Sequence, residues 1–334
     1  MTVVRSWLLV CVFIGTVHAR TVHANEWTQP RTADGVPDLQ GTWTNATITT
    51  LERPRHFKEL VITDAQARDW ETRNAAGYAA IDEVPEDGVQ AGGDVGGYNS
   101  FWMDPGTRVM QVNGEWRTSQ LIQPADGRLP WRLGARVKLG AFLMRLTRSF
   151  DGPEQRPLGE RCIVGFGSTG GPPMLPVLYN NNYQIVQSPG HVMILVEMNH
   201  DVRIIRLGGT HAPENVRPWM GDSVGRFEGD TLVVETRNFN PGQSFREDLS
   251  HSLYMTRDAE VTERFTRVSD GEIVYRFEVN DPGAYTEPWV GELAMRKTDD
   301  RIYEYACHEA NYAMPGILAG ARLEEQPESS PPGE

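Results

Sequence analysis

Within seven residues, Glu197-Met198-Asn199-His200-Asp201-Val202-Arg203, the chain carries two carboxylates, an imidazole and a guanidinium, and His211 follows closely. Those types together can transfer a proton. His200 serves as general acid/base, its ring oriented by Asp201 or Glu197, while Arg203 and His211 hold a carbonyl or anionic oxygen. The placement depends on the backbone. On one strand, Glu197, Asn199, Asp201 and Arg203 share a face and His200 points the other way; if Asn199–Asp201 is a turn, the group gathers at a rim. An alternative makes Asp201 and Arg203 a structural ion pair and His200 a turn residue. A second alternative gives zinc Glu197, His200 and His211 as ligands, although that spacing matches no recognised metal signature. The reading carried forward needs neither metal nor cofactor.

Further residues suit substrate contact. Trp219 precedes a strand, Tyr285 and Trp289 follow the Asp281-Pro282-Gly283 turn, and Asn182 and Tyr183 close an asparagine run. Tyr285 can donate a proton and the indoles can form a platform; each is also compatible with packing. Gly165–Gly170 (GFGSTG) matches GxGxxG formally, but Gly171-Pro172-Pro173 follows where a phosphate cradle needs a helix N-terminus. A loop at a barrel mouth is the expectation there. No GxSxG, P-loop, HExxH or CxxC is present.

Those residues need a frame. From Tyr183 onward short β-branched and apolar runs recur at Tyr183–Gln187, His191–Glu197, Val202–Leu207, Ser223–Glu228, Thr231–Thr236, Ala259–Val268, Glu272–Asn280, Val290–Lys297 and Ile302–Cys307. Glu228-Gly229-Asp230 and Ser269-Asp270-Gly271 are turn signals. Nine short antiparallel strands close most economically into a barrel, because closure leaves no bare edge. Before them the chain is irregular. Gly41–Thr44 reads as a strand, Thr63 with Gln66 makes a capping box opening a helix over 64–76, and Val112-Asn113-Gly114-Glu115 is a hairpin signal. Residues 136–148 form a second helix. Residues 77–97 carry no periodicity and read as a loop or lid, and this half shows no core of its own.

The N-terminus reads as an address. Arg5, the apolar run 7–15 and the small-residue ending Val22-His23-Ala24 predict a secretory signal over 1–24, hence a periplasmic or secreted protein. No segment approaches a membrane-spanning length. Of three cysteines, Cys11 falls in that signal, leaving Cys162 and Cys307 for one disulfide; a catalytic thiol is the alternative. The net charge of −13 argues against nucleic acid as a partner. A small molecule is the expected partner, and oligomeric state is left open.

Several segments carry a resemblance. PDLQGTWTNATITTLERP, YNSFWMDPGTR, GERCIVGF, YNNNYQIVQ, WMGDSVGRFEGDTLVVETRNFN and YEYACHEANYAMPGILAGAR resemble a widespread family of secreted bacterial proteins of unassigned function. GRFEGDTLVVETRNF followed by TERFTRVSDGEIVYRFEV is similar to hairpins of lipocalin-like (calycin) barrels. That resemblance implies a central ligand cavity. The expected organisation is a signal over 1–24, a wrapping region with two helices and a Gly-rich loop over 25–178, an antiparallel lipocalin-like β-barrel over 179–312, and an acidic Pro-rich tail within 313–334. Two functions fit. One is an exported, metal-independent lyase, hydratase or isomerase with His–carboxylate chemistry. The other is a carrier that binds an apolar or glycosidic compound without turnover.

Overall fold

The computed structural model describes residues 27–81, 103–146, 148–309 and 311–325. The signal expected over 1–24 lies outside them, as do residues 82–97 of the glycine-rich stretch and the tail beyond 325. The first half contains β1 (Gly41–Thr44), β2 (Val61–Ile62), α1 (Asp64–Ile81), β3 (Gln111–Val112), β4 (Glu115–Arg117), β5 (Leu121–Gln123) and α2 (Leu133–Leu146). There follow β6 (Asn182–Ser188), β7 (His191–Val196), β8 (Val202–Leu207), β9 (Asp222–Glu228) and β10 (Thr231–Arg237). Next come β11 (Phe245–Glu247), β12 (Ser252–Tyr254), β13 (Glu260–Arg267), β14 (Glu272–Asn280), β15 (Trp289–Lys297) and α3 (Ala313–Glu324).

Nine strands close a barrel in the order β1-β6-β7-β8-β9-β10-β13-β14-β15, and β1 pairs back to β15 through Trp43↔Lys297 and Thr44↔Arg296. The sequence expectation of an all-antiparallel barrel needs one correction: β8 and β9 are parallel, with Arg206 opposite Val224. Residues 208–221 carry the chain back along the barrel, so β9 starts near the end where β8 began. A second correction concerns closure. Ile302–Cys307 is not a strand; β1 takes the edge of β15 instead, and the chain leaves the sheet after Thr298 donates to the Thr42 carbonyl (3.0 Å).

Burial alternates along β8, where Arg203 and Ile205 point inward and Val202 and Ile204 outward. Strand β15 is buried throughout Trp289–Met295; β5 pairs along the part of its edge that β1 leaves free, and β3 lies close by. Large side chains fill the interior: Trp43, Tyr183, Phe265, Tyr275, Phe277 and Trp289 are all fully buried. They occupy the space that the cavity of a carrier barrel would take. Tight turns at 189–190, 229–230 and 268–271 close one end. At the other end the wrapping region enters after Thr44 and returns at Asn182, joined there by β11–β12 and the 281–288 turn.

The first half has a small core after all. Ile48, Ile62, Ala67 and Val109 pack with Phe57, Trp70 and Trp116 between α1 and the β2–β4–β3 sheet. The capping box forms as expected, with the Gln66 side chain accepting from Thr63 N (3.0 Å) and Thr63 Oγ1 accepting from Gln66 N (3.3 Å). Helix α1 runs on through residues 77–81, which the sequence reading assigned to the loop. In the Asn113-Gly114 turn both residues adopt positive φ (51° and 80°), the handed geometry that a two-residue hairpin requires. Residues 313–324 form α3, a helix not anticipated. Cys162 and Cys307 are disulfide-bonded, Cα–Cα 5.7 Å, pinning the segment before α3 to the wrapping region.

Candidate functional site

The Glu197–Arg203 cluster is a turn between β7 and β8, not one strand face. Asn199 and His200 take positive φ (57° and 44°), which reverses the chain and scatters the side chains. Glu197 is buried and accepts from Asn182 Nδ2 (2.9 Å) and Tyr303 N (3.4 Å). Asp201 accepts from Gly165 N (2.7 Å) and Asn199 Nδ2 (3.4 Å), and burial raises its pKa in spite of those bonds. His200 is exposed, its Nδ1 lying 3.3 Å from the Tyr305 carbonyl oxygen. These acidic groups tie the 165 loop and the 301–307 segment to the barrel end. Arg203 turns inward, away from them. Near the start of β9, His211 Nδ1 sits 2.9 Å from Asp222, which also takes Arg206 and the Ala212 amide. The structure therefore does not bring Glu197, His200, Asp201, Arg203 and His211 to one point. Among the described residues no group of three or more His, Cys, Asp or Glu is arranged to hold a metal.

The aromatic candidates divide likewise. Tyr183, Tyr285 and Trp289 belong to the barrel interior. The Tyr183 hydroxyl donates to the Thr169 carbonyl (3.1 Å) and accepts from Asn45 (3.2 Å), while Tyr285 and Trp289 meet edge to face at 5.7 Å. Among the named aromatics, Trp219 reaches a surface cleft.

Inside the barrel, Arg203 forms a two-pronged pair with Glu263 (2.9 and 2.5 Å), and the Tyr275 hydroxyl donates to the same carboxylate (2.7 Å). Burial, then the Glu263 charge, keeps the Tyr275 phenol well above its ordinary pKa. Met174 N donates to Tyr275 Oη (2.9 Å), so the loop after the GFGSTG run is sewn into the barrel. Gly171 in that loop has φ +60°, and a Cβ there would strike the Pro173–Met174 backbone. Its carbonyl is thereby aimed at Arg246 Nη1 (2.9 Å).

Two clefts flank this loop and share Phe166, Gly167 and Glu247 as a common wall. The first, about 210 Å³, carries Arg145, Arg156, Arg161 and Arg246 against Glu154 and Glu247, between rings of Phe142, Phe166, Trp219 and Phe245. Arg156 is engaged by Glu160 (2.8 and 3.0 Å), whereas Arg145 and Arg161 make no ion pair among the described residues. In a chain of net charge −13 this is a local reversal of sign. The second cleft, about 370 Å³, carries Glu247, Asp248 and His251. Asp248 is buried and accepts from His251 N (2.6 Å), His251 Nδ1 (3.2 Å) and Leu51 N (2.9 Å). Burial opposes a charged ring, but the Asp248 hydrogen bond and charge, with Glu52 behind, lift the His251 pKa above its ordinary value. Glu247 makes no side-chain hydrogen bond or ion pair among the described residues, and burial together with Asp248 raises its carboxyl. Sequence reasoning missed this group; its one signal is Glu247-Asp248 three residues before His251, in a stretch without strand periodicity. Comparison with family models, with curated proteins and with solved structures finds no match to this chain.

Proposed function

We propose that the protein is an exported enzyme that moves protons on a small organic anion, in the lyase, hydratase or isomerase class, at the paired clefts beside Phe166. The observation that carries this reading is Glu247. It is a half-buried carboxyl without a hydrogen-bond partner among the described residues, its pKa raised by burial and by the Asp248 charge, on the wall between an arginine-lined cleft and a His–Asp cleft. Arg145 and Arg161 draw the anion in. Glu247 takes the proton from the carbon next to the substrate's carbonyl group, and the His251 imidazolium, held charged by Asp248, returns one to the developing oxygen. Export rests on the composition of residues 1–24 and agrees with the disulfide.

A carrier is the second reading, favoured by the aromatic walls of the first cleft, which hold a ligand without any proton transfer. Exchange of carbon-bound hydrogen for solvent deuterium, followed by proton NMR on phenylacetate, phenylpyruvate and mandelate, separates the two. The enzyme reading predicts protein-dependent exchange in at least one of these, reduced about 100-fold in Glu247→Gln with the fold retained. Binding without exchange in any of them favours the carrier.

A further inference from the structure

Between Asp126 and Asp151 the chain has six basic residues and no acidic one, in a protein whose net charge is −13. Most of that stretch is α2. The helix is rooted where Arg132 N donates to the Ala284 carbonyl and Arg132 Nε to the Tyr285 carbonyl (both 2.9 Å). Its inner face is narrow: Ala135 is buried, Leu139, Phe142 and Leu146 are half-buried, and the Phe142 ring stacks on Phe245 with centroids 4.5 Å apart. The face turned away from the barrel is apolar as well. Leu133 and Val137 are 79% and 63% exposed, and Met144 is 56% exposed. At about 3.6 residues per turn, Leu133, Val137, Gly140, Ala141 and Met144 fall on one ridge, with Arg136 on one side of it and Lys138 and Arg145 on the other. Arg148 follows in the turn after the helix, its amide donating to the Arg145 carbonyl (3.1 Å). Arg145 lies over the Phe142 ring, 5.6 Å from its centroid, and none of these four cations makes an ion pair among the described residues.

Neither feature serves the fold by itself. An exposed leucine and valine gain nothing from folding, and four cations on a stretch without an acid repel one another. Together they match a boundary between an apolar layer and a layer of negative charge. We infer that α2 is a docking surface for an anionic lipid bilayer. The helix lies along the membrane plane, with Leu133 and Val137 among the acyl chains and Arg136, Lys138, Arg145 and Arg148 at the level of the phosphates. Its length suits lying rather than crossing: fourteen residues extend about 21 Å, short of the roughly 30 Å hydrocarbon core. No helix among the described residues is long and apolar enough to cross a membrane. A second copy of the chain fits this face less well, because a two-fold contact turns it upon itself and sets like charges together. An acidic protein would need an apolar groove with two acidic rims to match the ridge, whereas a bilayer offers both layers everywhere. Phe142 and Arg145 also line the first cleft, so docking brings that cleft to the bilayer surface. The inference is independent of any reaction there.

Flotation of the whole protein with vesicles of phosphatidylcholine alone, or of phosphatidylcholine and phosphatidylglycerol at roughly 2:1, tests this directly. Binding is expected to the mixed vesicles and to be at least about tenfold weaker to phosphatidylcholine. Leu133→Gln/Val137→Gln should weaken binding to the mixed vesicles by roughly 100-fold, about tenfold for each apolar side chain withdrawn from the bilayer. Arg136→Gln/Lys138→Gln/Arg148→Gln should weaken it by about fivefold per charge, roughly 100-fold in all. Both variants should keep the wild-type melting temperature, since every substituted side chain is exposed. They leave the apolar run at 7–15 intact, so undiminished binding in either variant overturns the inference. Equal binding to the two kinds of vesicle overturns it too, as does binding to neither. Sedimentation without vesicles supplies a further arm: a dimer that wild type forms and Leu133→Gln/Val137→Gln loses makes this face a contact between copies and overturns the membrane assignment. If Leu133→Gln/Val137→Gln does not fold, the charge variant and the lipid preference of wild type decide the matter.

Discussion

At the residue scale, Arg203 and Glu263 face each other with 2% and 0% of their side chains exposed, joined by both prongs and capped by Tyr275. Removing one partner leaves a charge stranded in an apolar barrel, whereas removing both costs little. Glu263→Gln or Arg203→Met alone should therefore lower unfolding free energy by about 3–5 kcal/mol. The double variant Arg203→Met/Glu263→Gln, which preserves an acceptor for Tyr275, should recover most of that loss. Urea unfolding of the three variants measures it; additive losses would show that the pair is not coupled. The same residues show how far sequence carries. Arg203 stood in the noticed cluster, but its partner lies 60 positions away on β13, so pairing came from topology and no local pattern could supply it. Glu197 and Asp201 were noticed for their chemistry and turn out to accept from Asn182 and Tyr303 and from Gly165 and Asn199, because positive φ at Asn199 and His200 breaks the alternation that would have lined them up.

At the element scale, the parallel β8–β9 junction is the feature that strand periodicity could not reveal, since a parallel and an antiparallel neighbour look alike in one strand's pattern. Asp222, at the start of β9, holds that junction by accepting from Arg206 on β8 (2.8 and 3.1 Å), and from His211 and the Ala212 amide in the crossover. Burial works against the carboxylate, but these partners prevail and set its pKa at about 2. An unfolded aspartate titrates near 3.9. Because the folded value is the lower one, the stabilisation is full above about pH 4 and is lost as pH falls towards 2. Asp222→Asn should thus be less stable than wild type at pH 6 and approach it at pH 2.5, read from urea midpoints at both values. A gap that persists at pH 2.5 would assign the loss to packing instead. Elements with local signals were legible: the Thr63–Gln66 cap, the Asn113-Gly114 hairpin and eight of the nine expected strands from Tyr183 onward lie where the sequence placed them, within a residue or two. Helix α3 was not, because its apolar residues remain partly exposed and it stands beside a proline-rich tail.

At the scale of the whole molecule, one covalent link spans the chain: Cys162 and Cys307 close a loop with a sequence separation of 145. Replacing both with serine should lower stability by roughly 4–5 kcal/mol on the chain-entropy account. A matching loss should follow when wild type is unfolded in reductant, and no difference between oxidised and reduced protein would contradict this. The barrel itself was legible because inward and outward residues alternate and turns punctuate them. Its closure by Gly41–Thr44 was less so, since that strand is separated from β6 by the wrapping region. That insertion also builds the clefts. It leaves the barrel after Thr44 and returns at Asn182, laying Gly165–Gly170 over the barrel end opposite β11, where Ser168 N donates to the Glu247 carbonyl (2.8 Å). The candidate site is consequently a product of the whole fold, assembled from the wrapping region, the β10–β11 connection and β11–β12.

The position of a bound ligand decides between the paired clefts and every other surface of the molecule. Crystals grown with 4-bromophenylacetate, measured at the bromine absorption edge, locate both ends of the molecule at once. A ligand seated in the first cleft gives an anomalous peak between Phe142, Phe245 and Trp219, with the carboxylate towards Arg145 or Arg161 and the molecule beside Glu247. A peak against His200 in the β7–β8 turn, or bound molecule outside both clefts, would overturn this placement.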